Sequence, residues 1–153
     1  MKRQERLERV REIERELHAA RYAAELLESA LEENSGLLAE ESFGVRDFRI
    51  WREKLDGTYL IRMFAEFEAG LRDVWVNHFK KPADKHVPVR DLIESIGKRQ
   101  QVRVRDDVID GVHATRRARN ALVHEGHDNA VAVEFAAART LLGEFLSRLP
   151  KDW

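Results

Sequence analysis

Residues 2–33 read KRQERLERVREIERELHAARYAAELLESALEE, and the spacing of the apolar positions in this stretch sets the fold class. Val10, Ile13, Leu17, Ala20, Ala24, Leu27 and Leu31 advance in alternating steps of three and four. A helix turns about 100° per residue, so these side chains lie along one side and form a stripe that needs burial. Arg and Glu fill the opposite side, often three or four apart, where they pair across a turn on a solvated face. Asn34, Ser35 and Gly36 supply the stop.

The same stepping recurs downstream. Leu60, Phe64, Phe67, Leu71, Val74 and His78, with Trp75 beside them, predict a helix over 58–79. The stretch 37–56 predicts a short helix, then a Phe48, Ile50, Trp51 cluster, with a break at Asp56-Gly57. Pro82 and Pro88 make Lys80 to Pro88 a loop, and Pro88 opens a short helix over 89–99. A further helix is expected over 106–124, with Asp106 or Asp107 near its N-terminus. Glu125, Gly126 and His127 break it. The last helix, 129–149, rests on Val131, Phe135, Ala138, Leu142, Phe145 and Leu149, and Pro150 ends it. The run VRVRDDV alternates too briefly for a sheet and reads as a loop or helix start. The expectation is an all-α, up-and-down bundle of five to six helices, one domain over 1–153.

Composition narrows the function classes. Hydrophobic residues make up 43% and charged residues 36%, interleaved in a way that favours a soluble folded protein over disorder. The 27 Lys and Arg against 28 Asp and Glu give a net charge of -1, so nucleic-acid binding would have to come from a local patch. Without cysteine there is neither a disulfide framework nor a thiolate metal site. The N-terminus is charged from its second residue, unlike a signal peptide, and no apolar run approaches the roughly 18 to 20 residues of a membrane span. The expected location is cytoplasmic, with no membrane partner.

The chemistry is concentrated in the helix over 106–124. Val108, Ile109, Val112, Leu122 and Val123 define its apolar side, and Arg119 projects near the middle of that stripe. A guanidinium cannot discharge itself by losing a proton, so it needs an acceptor or a cleft. Two readings follow: a structural ion pair, with Glu68 as partner, or a functional site. His124 lies five residues on, at the expected helix end. A histidine there also suits the helix dipole, but Arg and His together suit a phosphodiester. Cleaving RNA without metal requires a base to take the 2′-hydroxyl proton, which histidine does near neutrality. The phosphorane gathers negative charge that a guanidinium holds through directed hydrogen bonds. Asn120 can fix the local geometry.

The run Arg119, Asn120, Ala121, Leu122, Val123, His124 resembles the R-N-x-x-x-H signature of the HEPN ribonuclease family, in an all-helical chain of suitable length just before a last amphipathic helix. The resemblance implies a HEPN-like helical bundle that dimerises and brings two Arg/His motifs into one cleft, where RNA is cut without a metal ion or other cofactor. It implies Arg119 on the scissile phosphate, His124 as acid and base, and Asn120 in support. The run Tyr59 to Trp75 resembles the family's acidic-residue helix and makes Glu68 a further candidate for orienting Arg119. Many members are toxins of toxin–antitoxin or antiviral systems, so an antitoxin such as a nucleotidyltransferase is an implied partner. One subgroup carries a modifiable tyrosine two positions after the histidine. This chain has Gly126 there, which puts that mode of control in doubt.

Residues 98–119 hold seven basic side chains, among them Arg103, Arg105, Arg116 and Arg117, against three acidic ones. This strip reads as a guide for an RNA backbone or as solvated surface. Trp51, Tyr59 and Trp75 sit at helical spacing and read as core rather than base-stacking platforms. His113, His124, His127 and Glu125 lack the constrained spacing of a metal site. The alternative function is a non-catalytic helical bundle that binds RNA or another partner.

Overall fold

The computed structural model describes residues 2–82, 87–124 and 132–153. They form five α-helices: α1 (Arg3–Glu33), α2 (Val45–Asp73), α3 (Val89–Gly97), α4 (Asp106–Val123) and α5 (Phe135–Arg148). No strand occurs among the described residues. The chain is therefore all-α, as the periodicity predicts.

Ion pairs and close contacts give the helix directions. Arg6 pairs with Glu66 and Asp73, Glu16 with Arg62, Arg21 with Asp56, and Glu28 with Arg49 and Arg52. Position numbers rise on α1 as they fall on α2, so the two are antiparallel. The same comparison sets α4 antiparallel to α2, through Phe64 with Arg119 and Gly57 with Leu122. It sets α5 antiparallel to α4, through Gly111 with Leu141 and Arg105 with Glu144. The four longer helices thus alternate in direction. The short α3 does not; it runs antiparallel to α4, through Glu94 with His113 and Gly97 with Ile109.

Helix α2 is central and touches the other four. Its Phe64 and Phe67 rings pack at a tilt with centroids 5.6 Å apart, and Phe67 meets Phe145 of α5 edge-on at 5.3 Å. Leu17, Met63, Leu71, Leu92, Ile96, Leu142 and Leu146 are fully buried around these rings. On α1, Val10, Ile13, Leu17, Ala24 and Leu31 are buried as expected, while Ala20 and Leu27 are half-buried against the core. The charged residues of α1 are not only a solvated face. Several reach across to α2, where each exposed pair adds little energy but matches only one register of the two helices.

Three expectations need correction. The predicted short helix and break within 37–56 do not occur: 35–43 is turn and bend, and α2 runs unbroken from Val45 through Asp56-Gly57. Asp56 is an ion-pair partner for Arg21, at 2.6 Å. Gly57 lets α4 approach, since a Cβ there would lie 3.2 Å from a Leu122 methyl. At the far end, α2 passes into a single π-helical stretch over Val74–His78 rather than continuing as α-helix to Phe79. The last helix begins at Phe135, not 129, with Glu134 extended before it. The β-branched Val133 just ahead is a weaker helix former than the alanine-rich run that follows. The predicted break at Glu125, Gly126 and His127, and Val131 of the last stripe, lie outside the described residues.

Gly57 provides a check on the unbroken α2. Leu122 is exposed and its methyl groups can move aside, so Gly57→Ala should gain helix propensity and stabilise the chain by about 0.5 kcal/mol. Chemical denaturation measures this. A loss of more than about 1 kcal/mol would mean that Leu122 cannot yield and that the position needs the space glycine leaves.

Candidate functional site

Helix α4 carries most of the predicted residues. Arg105 precedes it in extended conformation, and Asp106 and Asp107 occupy the first turn, where carboxylates oppose the partial positive charge of the unpaired N–H groups. Val108, Ile109, Val112, Thr115 and Ala118 face the core. The Thr115 hydroxyl is satisfied by donating to the Gly111 carbonyl at 3.0 Å. Leu122 and Val123 do not continue this face: they are 51% and 44% exposed. These two apolar side chains lie inside the RNxxxH segment and are about half exposed, Leu122 still packing on Gly57 of α2.

Arg119 points inward along the buried stripe, as its helical position predicts. Its guanidinium carbon lies 5.9 Å from the centroid of the Phe64 ring, and one terminal nitrogen donates to Asn120 Oδ1 at 3.0 Å. The buried Nε has no hydrogen-bond partner among the described residues. Glu68, the expected partner, is engaged by Arg72 instead: two Arg72 nitrogens donate to Glu68 Oε1 at 2.6 and 3.1 Å. An arginine one turn away on the same helix reaches that carboxylate before a side chain on α4 can. Arg119 is thus held by an aromatic face and an amide oxygen, without a carboxylate neutralising it among the described residues.

His124 caps α4, its backbone N–H donating to the Asn120 carbonyl at 2.9 Å, and its side chain is exposed. Asn120 therefore serves both predicted residues, with its side-chain oxygen on Arg119 and its carbonyl on His124. The three motif residues share one helix end, with Arg119 turned inward and the exposed His124 about 140° around the axis from it.

The basic strip divides. Arg103 is exposed with a left-handed φ of 46°, and Arg105 is held by Asp107 at 2.9 Å and Glu144 at 3.7 Å. Both precede the N-terminal end of α4, and Arg105 is roughly 28 Å from His124 along the axis at 1.5 Å per residue. They are not brought to the motif. Arg116 and Arg117 lie within about two turns of it, and they open onto something the sequence reading missed.

A groove of about 430 Å³ runs between α3 and α4, lined by Arg90, Glu94, Asp110, His113, Arg116 and Arg117. His113, whose side chain is 12% exposed, shares a 2.8 Å hydrogen bond from Nε2 to Glu94 Oε1. The other Glu94 oxygen takes Lys98 at 2.6 Å. Lys98 first, and His113 second, hold the Glu94 carboxyl below its usual range. Burial, then the neighbouring Arg117 and Arg90 charges, push the Arg116 guanidinium below its usual value. The i, i+3, i+4 spacing of His113 to Arg116 and Arg117 was visible in the sequence, but nothing in it announced Arg90 across the groove.

Of the aromatic residues, Tyr59 and Trp75 pack on the core as expected, with Arg62 and Arg99 over their rings at 5.0 and 5.7 Å. Trp51 does not; it is 46% exposed beside Phe48. Among the described residues no three His, Asp or Glu side chains group as metal ligands would, and no helix is long and apolar enough to cross a membrane. No family model, curated protein or solved structure matches the chain.

Proposed function

We propose that the protein is a metal-independent endoribonuclease of the HEPN type, cutting RNA at the C-terminal end of α4. The observation that carries this reading is Arg119: a positioned guanidinium with a buried, unpartnered Nε and no carboxylate on it among the described residues, five positions before an exposed histidine. A phosphate would supply the missing counter-charge.

In the proposed reaction His124 accepts the 2′-hydroxyl proton as O2′ attacks the adjacent phosphorus. The O2′–P bond forms, the P–O5′ bond breaks, and a protonated histidine returns a proton to the departing O5′. Arg119 steadies the charge on the non-bridging oxygens, with Asn120 holding its guanidinium. The exposed Leu122 and Val123 within the motif support a homodimer in which a second copy covers this surface and completes the cleft. A toxin or defence role restrained by an antitoxin is part of the same reading.

The reading predicts that purified protein cuts single-stranded RNA in excess EDTA and leaves the same strand intact when every ribose lacks its 2′-hydroxyl. Intact RNA at all protein concentrations, or equal cutting of the deoxy strand, would refute it. One observation favours a non-catalytic RNA-holding reading: no side chain among the described residues orients the His124 ring. Retained binding without cleavage would select that reading.

A further inference from the structure

We propose that the groove between α3 and α4 is a phosphate subsite, in which Arg90, Arg116 and Arg117 hold a backbone phosphate of the RNA strand whose scissile bond lies at His124. The proposal rests on RNA being the ligand of the α4 motif, and it adds a second, separate contact point.

The first argument is charge pairing. Some arginines elsewhere on this protein sit against carboxylates, among them Arg9, Arg11 and Arg15 on α1 and Arg49, Arg62 and Arg72 on α2, and others such as Arg46 and Arg148 form no ion pair among the described residues. The three that line the groove have no such partner among the described residues, although they crowd together. Like charges are brought together at a cost, and a bound anion offsets it. The two acidic residues in the lining do not neutralise the cluster. Glu94 is already shared between His113 and Lys98, and Asp110 forms no ion pair with the three arginines among the described residues.

The second argument is an unmet hydrogen-bond donor. Arg116 Nε is buried without a partner among the described residues, and burial and the adjacent guanidiniums disfavour its charge. The Nε is closed to solvent, so a phosphate would engage the terminal N–H groups of the fork and offset the disfavoured charge. His113 is fixed by its Nε2 bond to Glu94, which leaves Nδ1 outside that bond.

The third argument is alignment. His113, Arg116, Asn120 and His124 step by three, four and four, so they run down one flank of α4, with Arg117 beside them. Arg116 is eight residues from His124, about 12 Å along the axis. A short strand placed at His124 therefore continues over the groove along this flank. Guanidiniums at this distance from the cut would grip the backbone regardless of base, so they would add affinity rather than sequence preference.

The test uses a fluorescent 2′-O-methyl RNA oligomer, which binds but cannot be cut, with anisotropy read across a salt series. Arg90→Ala/Arg117→Ala removes two exposed side chains and should leave the fold intact. It should weaken binding about tenfold at low salt and reduce the slope of log K against log salt by about 1, each single-strand phosphate contact contributing about 0.7. Arg9→Ala/Arg11→Ala removes the same charge from α1 and should change neither. Arg116→Lys keeps the charge but loses the fork, and should weaken binding severalfold. Equal loss in both double variants, unchanged binding in the groove variants, or no binding by the wild type would overturn the proposal. The nuclease reading fails separately: wild-type protein that binds this oligomer through the groove yet leaves ordinary RNA intact would refute cleavage and keep the subsite.

Discussion

His124→Ala should lower the rate of RNA cleavage by about 10²–10⁴-fold, the range over which a positioned acid–base group contributes. The side chain is exposed and contributes to the helix end through its backbone N–H, which alanine retains. Thermal unfolding should therefore move little, and the loss should fall on kcat rather than on oligomer affinity. Arg119→Ala should cost about 10²–10³-fold through lost stabilisation of phosphorane charge. Arg119→Lys should recover only part of this, because an ammonium cannot offer two parallel donors. The two substitutions together should cost less than the product of their separate effects, as expected for groups that act on one transition state. A single-turnover assay on a labelled strand measures all three. Undiminished cutting by His124→Ala would remove the histidine from the mechanism.

Phe67→Ala should destabilise the fold by about 3–5 kcal/mol, the usual cost of emptying a large aromatic site. The ring is fully buried at the junction of α2 and α5, between Phe64 and Phe145. In a chain of this length that corresponds to a fall in Tm of about 10 °C or more. The exposed Leu26 gives the contrast: Leu26→Ala should change stability by no more than about 0.5 kcal/mol. Calorimetry on the two variants separates them. Comparable small effects from both would mean that Phe67 does not sit in the packed centre of the bundle.

Burial periodicity made the long helices legible, because every third or fourth apolar residue of α1, α4 and α5 meets the core. The same signal failed at Asp56-Gly57, a dipeptide that ordinarily marks a turn. Leu55 and Leu60 on either side are both buried in one continuous helix, and the glycine serves close packing against Leu122. The start of α5 was also set too early: Ala132, Val133 and Glu134 precede Phe135 without being helical.

Arg119 and Asn120 were legible as neighbours, and they share a hydrogen bond, while His124 stands at the cap of the same helix end. Glu68 was not, since its choice of partner depends on competition between Arg72 on its own helix and Arg119 on another. Arg103 and Arg105 were grouped with the motif by sequence, but the length of α4 separates them from it. Arg90 was invisible for the opposite reason: only the antiparallel packing of α3 on α4 carries it to Arg116 and Arg117. Nearness along the chain was a poor guide to nearness in space in both cases.

The most direct measurement is the chemistry of the cut ends. RNA incubated with wild-type protein in EDTA should yield 2′,3′-cyclic phosphate and 5′-hydroxyl termini, and these should vanish with His124→Ala. Termini carrying 5′-phosphate, cutting that requires a divalent cation, or the same cyclic ends from the variant would contradict cleavage by Arg119 and His124.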